Sequence, residues 1–376
     1  MKNHSLKCSR LMLLGLVISF MIVTFGAVPS EASSAKPIEL TFSSYLPESS
    51  NTSVVERWWA KELEKRTNGR VKVKKWHYAG SLCGARESLG CSGRGMVDLS
   101  FVAPGYNPAQ LPLSTMAEMI YTNDAPGADV MAKHELYKTY PALQREFHKS
   151  NVELMFYHMV EIGMFGIRKG ITINSASDLL KYKSHSYGPT ADLMKNVGMT
   201  PVAIPIPEVY ESMSRKVIDG WFSVFWYMKP SRLYEVTGTM VDPGVGVFAS
   251  SFVGMNKKRY DSLPDDIKQV IEDLRKDVII FELKAHAQID KETHALVKQH
   301  SPGMKYVSFS PEARAEWRTK GKVDDITNAY YKKREGAAPE VRDFFGKFKT
   351  LLKKYQPGVK KYYNHPFETV ETKIVD

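Results

Sequence analysis

Short strand-like segments alternate with helix-like segments along this chain, and this alternation restricts the possible fold more than any other feature. Residues 38–42 alternate apolar and polar side chains, as a strand with one buried face does. A helical pattern follows with Val55, Trp59 and Leu63 on one face, and further strand-like segments begin at residues 71 and 99. Strand–helix–strand units predict an α/β fold with mainly parallel sheets.

The same pattern begins again near residue 152, which predicts a second α/β unit. The 376 residues are enough for two hydrophobic cores. Ser262 can cap a long helix whose apolar stripe runs from Ile267 to Ile289 and which stops at Ser301-Pro302-Gly303, so we expect a helix that spans both units. We expect lobe 1 to comprise residues 38–160 and 245–275, and lobe 2 to comprise residues 161–244 and 276–376.

The N-terminal segment predicts export from the cytoplasm. Lys2, Lys7 and Arg10 precede an uncharged apolar run over residues 11–27, and small residues follow it. This order is typical of a secretory signal peptide cleaved after Ala32 or Ala35, so we assign residues 1–32 to the signal and the mature chain to the periplasm. An uncleaved membrane anchor is the alternative.

The basic balance of the chain does not indicate a nucleic-acid partner. The formal net charge is +11, but the lysines and arginines are scattered rather than grouped with aromatic side chains. We therefore expect no nucleic-acid binding, and we expect a monomer.

Cys83 and Cys91 are the only cysteines that remain after signal cleavage. An oxidising compartment favours a disulfide between them. In one continuous helix, however, their Cα atoms would lie about 12 Å apart, beyond the roughly 7 Å limit for a disulfide. Glycines 84, 90, 93 and 95 weaken such a helix. We predict a disulfide, with two free thiols as the alternative.

The patterns in this chain that could indicate a metal site or a cofactor-binding site give little support to either kind of site. His286, Asp290 and His294 share one helix face at the spacing of a chelate, but this face turns away from the apolar stripe. We interpret it as a solvated polar face and expect no metal site. The Gly244-x-Gly246-x-x-Ala249 pattern precedes a strand rather than a helix, so it does not indicate dinucleotide binding. We expect no catalytic residues and no cofactor.

Several short motifs in order give the chain a resemblance to a known family. They include Gly198-Met199-Thr200-Pro201, Glu208-Val209-Tyr210-Glu211, Val217-Ile218-Asp219-Gly220, Tyr78-Ala79-Gly80-Ser81-Leu82 and Gly95-Met96-Val97-Asp98. Together they resemble the extracytoplasmic solute-binding subunits of TRAP transporters, the DctP family. The resemblance implies a two-lobed periplasmic binding protein fold, a long helix across both lobes and a ligand closed between them.

The chain departs from that family where the ligand carboxylate is usually held. His185 occupies the position of the family's clamping arginine, and Ser223 replaces an asparagine. An arginine is a permanent bidentate cation, whereas histidine is mostly neutral at pH 7. Arg168 on the preceding strand is our alternative source of positive charge. If a charged His185 holds an anion, affinity should rise as pH falls.

Aromatic side chains crowd the predicted cleft, and we assign them to ligand binding with core packing as the alternative for each: Tyr45, Tyr106, Tyr187, Tyr210, Phe222 and Trp226. We expect a small organic acid, with aromatic acids among the candidates, which is passed to the TRAP membrane subunits. One alternative is a cationic or neutral molecule in an aromatic cage. Another is an enzyme that reuses the two-lobed fold.

Overall fold

The computed structural model describes residues 36–359 and 365–376, and the predicted signal peptide lies outside them. The first sheet has the spatial order β2-β1-β3-β10-β4. Its strands are β1 (Ile38–Ser43), β2 (Val71–His77), β3 (Leu99–Val102), β4 (Val152–His158) and β10 (Ser251–Asn256). Strands β1, β2 and β3 are parallel, and β10 runs antiparallel to both β3 and β4.

The second sheet has the order β12-β11-β9-β5-β8-β6-β7. Its strands are β5 (Met164–Arg168), β6 (Lys183–His185), β7 (Thr200–Val202), β8 (Gly220–Ser223), β9 (Thr237–Asp242), β11 (Lys305–Phe309) and β12 (Thr372–Val375). Only β5 runs antiparallel to its neighbours β8 and β9. The predicted α/β class is confirmed, with antiparallel strands inserted into both parallel sheets.

Helices cover the faces of both sheets. They are α1 (Asn51–Arg66), α2 (Ser88–Gly93), α3 (Pro112–Met116), α4 (Pro126–Thr139), α5 (Pro141–Lys149), α6 (Gly188–Val197), α7 (Val209–Ser214), α8 (Lys257–Asp261), α9 (Asp265–His300), α10 (Pro311–Lys320), α11 (Val323–Glu335) and α12 (Val341–Val359). Across residues 36–359 and 365–376, no helix combines the length and apolar composition of a membrane span.

We call each sheet with its covering helices a lobe. The strands of each sheet fall within the ranges expected for one lobe, while the lobe boundaries themselves remain a prediction. One helix differs from the expected division: α12 packs against α4 and α3 of the first lobe although residues 276–376 were assigned to the second. Its amphipathic pattern predicts that one face is buried but not which lobe buries it.

Two short segments, residues 159–163 and 243–250, cross between the sheets and pair with each other, and α9 carries the chain across a third time. Ile162 forms an antiparallel bridge with Val247, and the backbone N–H of Gly163 donates to the Gly246 carbonyl over 2.9 Å. The 36-residue helix α9, about 54 Å long at 1.5 Å per residue, contacts α1 of the first lobe and residues 225–228 of the second. It confirms the long helix expected to span both lobes.

Buried ion pairs attach α9 to the first crossing segment. Glu282 Oε1 lies 2.9 Å from His158 Nδ1, and Glu282 Oε2 accepts the Met159 N–H at 2.9 Å. One turn further along the helix, His286 Nδ1 lies 2.8 Å from Glu161 Oε1. The prediction of a solvated polar face at His286 and Asp290 is therefore wrong, because both side chains are buried. A polar helix face can be buried when its side chains find polar partners in the interior, as His286 does with Glu161.

Burial alone would lower the pKa of His286, but the hydrogen bond to Glu161 and the nearby Glu282 carboxylate raise it to about 10. Glu282 is also buried, yet His158 and His286 lower its pKa to about 2. Both shifts favour the charged forms at neutral pH. The crossing segment is thus held to α9 by charged groups that are shielded from water.

We predict that His286→Gln lowers the free energy of unfolding at neutral pH by about 3–5 kcal/mol, because Glu161 would stay buried without its cation. A histidine pKa raised by folding contributes its full stability below about pH 6.5 and loses it as pH rises through the folded value. The difference between wild type and variant should therefore shrink as pH rises towards 10. Urea unfolding at several pH values measures this.

The matched control is His300→Gln, at the exposed end of the same helix, which should leave stability nearly unchanged. A stability difference for His286→Gln that stays constant between neutral pH and pH 10 and above would contradict the assignment of a charged His286.

Candidate functional site

A cavity of about 90 Å³ lies where the two lobes meet. Strands β1, β3, β6 and β8 lead into it through their carboxyl ends, where ligands bind in open α/β sheets. The two crossing segments contribute Val160 and the run from Phe248 to Ser250. The site is therefore assembled from both sheets and from the connections between them.

Seven of the nine residues predicted to bind a ligand line this cavity. They are Tyr45, Tyr106, His185, Tyr187, Phe222, Ser223 and Trp226. Their segments follow strands in both sheets, so the structure brings together residues that are far apart in sequence. Their part in binding a ligand remains a prediction.

The structure places Arg168 and Tyr210 elsewhere. Because β5 runs antiparallel to β8, Arg168 at the end of β5 lies near the start of β8, whereas Ser223 lies at the end of β8. Arg168 Nη2 instead pairs with Asp219 Oδ1 at 3.2 Å. Tyr210 lies on α7, and its hydroxyl donates to Glu235 Oε2 at 2.7 Å. Neither Arg168 nor Tyr210 lines the cavity, so the cavity does not support a ligand-binding role for either, and that role stays a prediction.

Aromatic rings form most of the cavity wall and contact one another across the lobes. Tyr106 of the first lobe stacks on Tyr187 of the second with ring centroids 5.3 Å apart. Tyr45 meets Tyr106 edge to face at 5.8 Å. On the opposite wall, Phe222 meets Phe248 edge to face at 4.7 Å. These rings present a narrow apolar space suited to a flat molecule.

His185 is fully buried at the end of β6, where the backbone of Phe222 and Ile204 lies close to its ring, but in the described part of the chain neither ring nitrogen has hydrogen-bond geometry to a partner. Burial lowers the pKa of His185 to about 4, although nearby backbone groups of Phe222 and Ile204 partly oppose this effect. The ring is therefore neutral at pH 7. Its nitrogens offer one donor and one acceptor to a bound molecule.

Two neighbouring polar atoms on the cavity wall are buried in the same way. Trp226 Nε1 and the Tyr227 hydroxyl lie without a partner among the described residues. Buried polar atoms in native proteins are usually hydrogen-bonded, so groups left free at a cavity are suited to contact a ligand. Tyr227 was not predicted from the sequence; its position beside Trp226 at the exit of β8 was the available signal.

Glu118 lies behind the aromatic wall and was also not predicted. Its carboxylate accepts the Ser250 N–H over 3.1 Å, which attaches the loop after α3 to the second crossing segment. Burial raises the pKa of Glu118 to about 8, with Lys133 and Arg334 partly opposing that rise. A lone acidic residue in a loop gives no sequence signal of such a role.

Glycines at two positions let the aromatic wall close. A Cβ at Gly105 would lie 2.7 Å from the Tyr187 ring and 3.2 Å from the Glu118 carboxylate. A Cβ at Gly163, on the first crossing segment, would overlap the rings of Phe222 and Phe248. The close approach of aromatic rings to the backbone therefore requires glycine at both positions.

The remaining predicted sites have clear positions. Cys83 and Cys91 form a disulfide with Cα atoms 6.4 Å apart, because α2 begins only at Ser88 and leaves Cys83 outside the helix.

The two histidines of the chelate-like spacing on α9 do not share a partner. His286 and His294 bond to different groups, Glu161 and the Pro366 carbonyl. Within the described ranges, no three histidine, cysteine or acidic side chains are grouped to hold a metal.

A larger depression of about 640 Å³ lies beside the second crossing segment, but its chemistry is less suited to a ligand. Its buried charged group, Asp242, already pairs with Arg314 at 2.7 Å and with His365 at 3.1 Å. The aromatic cavity, by contrast, has buried polar atoms without partners. We therefore take the aromatic cavity as the candidate site.

This combination of two α/β lobes, paired crossing segments and an interlobe cavity defines the class of two-lobed solute-binding proteins. Residues 42–333 match the model of the bacterial extracellular solute-binding proteins of family 7, DctP. The chain belongs to this family, which confirms the resemblance seen in the sequence.

Known proteins of similar sequence and structure agree. The outer membrane transporter protein TsaT of Comamonas testosteroni is 25% identical over 279 residues, covering 73% of this chain and 80% of that protein. A TRAP solute-binding protein from a marine metagenome, specific for aromatic acids and solved with metahydroxyphenylacetate, has a TM-score of 0.74. It is 22% identical, and the match covers 85% of this chain and 99% of that one.

A second solved structure, from Rhodoferax ferrireducens T118, is a TRAP solute-binding protein that contains copurified benzoate. It also has a TM-score of 0.74, with 20% identity and coverage of 85% and 99%. At these identities the structural likeness establishes the fold. The two-lobed fold predicted from the sequence is thereby confirmed.

We predict that Gly105→Ala destabilises the protein by about 1–3 kcal/mol, because the added methyl group must displace the Tyr187 ring from its stack on Tyr106. Gly346→Ala is the matched control. It places the same methyl group in α12 with no atom within 4 Å, and should stabilise by about 0.5–1 kcal/mol through helix propensity. Thermal and urea unfolding measure both; equal effects of the two variants would contradict the packing described.

Proposed function

We propose that this protein is the periplasmic solute-binding subunit of a TRAP transporter and captures a small aromatic acid in the cavity between its lobes. The observation that carries the proposal is the cavity itself, with aromatic walls from both lobes and four buried polar atoms without partners in the described chain. Family membership supports the transport role, and relatives of the same fold hold benzoate and metahydroxyphenylacetate.

A ligand that contacts both lobes favours the closed arrangement, since it binds that state more tightly than the open one. Tyr106 of the first lobe and Tyr187 of the second, stacked on each other, would then form one wall against the ligand ring. We infer that the loaded protein, as a monomer, presents its closed surface to the TRAP membrane subunits and releases the ligand there. The same role implies binding without chemical conversion, so we assign no catalytic residue and no cofactor.

A second candidate follows from one observation. Among the lining residues that the structure describes, none is lysine or arginine, and Glu118 lies behind the wall. A neutral aromatic molecule, or a cation held by ring faces, would also suit such a cavity. Comparison of benzoate with benzyl alcohol and benzylamine separates these ligand classes.

We expect isothermal titration calorimetry to detect binding of benzoate and 3-hydroxyphenylacetate to the mature protein, and weaker binding of an open-chain acid of equal charge. Ala103→Leu, which fills part of the cavity, should weaken binding at least about tenfold by overlap with the ligand. Arg168→Gln is the control: it removes a cation outside the cavity and should leave affinity unchanged.

Tight binding of benzylamine or benzyl alcohol without binding of any acid would select the second candidate. Equal affinity of wild type and Ala103→Leu would show that the ligand binds elsewhere. Loss of binding in Arg168→Gln would restore the arginine that was predicted from the sequence and then set aside.

We also propose export with cleavage after Ala32 or Ala35, on the evidence of the basic N-terminus, the apolar run and the small residues that follow. Intact-mass measurement of protein recovered from the periplasm of an expressing bacterium should give a chain that begins at Ser33 or Lys36. A chain that begins at Met1 and remains with the membrane fraction would instead support the uncleaved anchor.

A further inference from the structure

Charged groups are scarce around His185, the histidine among the described residues that line the cavity. His185 meets the Tyr187 ring at 6.1 Å, and the other ionisable groups on that side are Tyr45, Tyr106, Tyr227 and, behind them, Glu118. The charged groups on its own and the adjacent strand, Lys183 and Asp219, lie at the strand ends away from the cavity. In the described ranges, no cation faces His185.

The cations near Glu118 are already engaged. Lys133 pairs with Asp129 at 2.5 Å, and Arg334 donates to the Thr115 hydroxyl at 2.9 Å. The exposed Arg86 is the remaining cation near Tyr106. A carboxylate enclosed beside His185 would therefore lack a buried fixed countercharge, and an uncompensated buried anion is strongly unfavourable.

One group can supply the missing charge. His185 is fully buried, and in the described structure neither ring nitrogen has hydrogen-bond geometry to a partner. When the neutral ring takes up a proton, both nitrogens carry N–H groups, and one of them can donate to the ligand carboxylate. Trp226 Nε1 and the Tyr227 hydroxyl add neutral donors on the same wall. Burial of an anion against this ring favours the imidazolium, since an opposite charge nearby favours the charged form.

We propose that the site binds an aromatic carboxylate together with one proton from solvent, and that the proton resides on His185 as an imidazolium paired with the ligand. This inference rests on the proposed function. The charges balance at the site: a neutral His185 ring, one carboxylate anion and one proton give a pair with no net charge. Ligand specificity then requires a ring with one carboxylate, because a second carboxylate would find no further charge to pair with.

The pH dependence follows from linkage. The pKa of His185 in the free protein, about 4, lies below the working range. Between that value and the higher pKa of His185 in the complex, uptake of one proton on binding makes the dissociation constant rise about tenfold for each unit increase in pH. An arginine clamp would show no such dependence, because its charge is permanent.

The test is calorimetry with benzoate on the mature protein at several pH values between about 5 and 8, in phosphate and in Tris. These buffers differ in ionisation enthalpy, so the difference in heat gives the number of protons taken up. We expect close to one proton per ligand and a tenfold loss of affinity per pH unit. Binding of benzoate with no proton uptake and with constant affinity would overturn the inference while leaving the proposed function intact.

Two variants locate the proton. His185→Gln keeps a neutral hydrogen-bonding side chain and should bind weakly with no proton uptake, whereas Arg168→Gln should take up one proton as wild type does. Uptake of a full proton by His185→Gln would overturn the assignment to this ring. Nitrogen-15 spectra of labelled histidine in the wild type give an independent reading, in which a neutral ring in the free protein becomes an imidazolium in the complex.

Failure of the proposed function has a different signature. If the wild type binds no aromatic acid at any pH, both proposals fail. If it binds only uncharged aromatic molecules, again without proton uptake, the cavity remains the site but the ligand is not an acid, and the inference about His185 is overturned.

Discussion

The attachment of the first crossing segment to α9 is the interaction on which the site depends. Glu282 holds His158 and the Met159 backbone, and His286 holds Glu161, so the short segment is fixed to one helix at its start and at its middle. Val160 lies between these anchors and lines the cavity. The second crossing segment then pairs with the first at Ile162 and carries Phe248. The geometry of the ligand wall follows from these buried pairs.

Local patterns were sufficient for the parts of the fold that depend on one element. The alternation of apolar and polar residues predicted β1, and the helical spacing of apolar residues predicted α1 and the long helix α9. They failed where the outcome depends on strand direction or on a partner. Nothing within residues 164–168 indicates that β5 runs antiparallel, and this direction alone places Arg168 at the wrong end of the sheet for a clamp. Likewise, the spacing of polar residues along α9 does not show that His286 pairs with Glu161, which lies in a distant segment.

The candidate site shows the same difference between features local to one segment, which the sequence predicts, and contacts between distant segments, which it does not. Tyr45, Tyr106 and Tyr187 could be named because each follows a strand, and the carboxyl ends of parallel strands meet at one edge. Glu118 could not be named, because its role depends on the Ser250 N–H of a distant segment. The sequence indicates which side chains reach the cleft, whereas tertiary structure decides which loops support them.

If His185 takes the place of the clamping arginine, as the resemblance implies, the buried histidine changes more than the number of hydrogen bonds. A fixed cation in an empty cavity must itself be solvated or paired when no ligand is present, whereas a neutral imidazole carries no such cost. This allows the cavity of about 90 Å³ to remain narrow and aromatic, with Gly105 and Gly163 drawing the rings close to the backbone. Charge then enters the site only with the ligand, so an anion that cannot be matched by a proton on His185 is rejected on electrostatic grounds even where its shape fits.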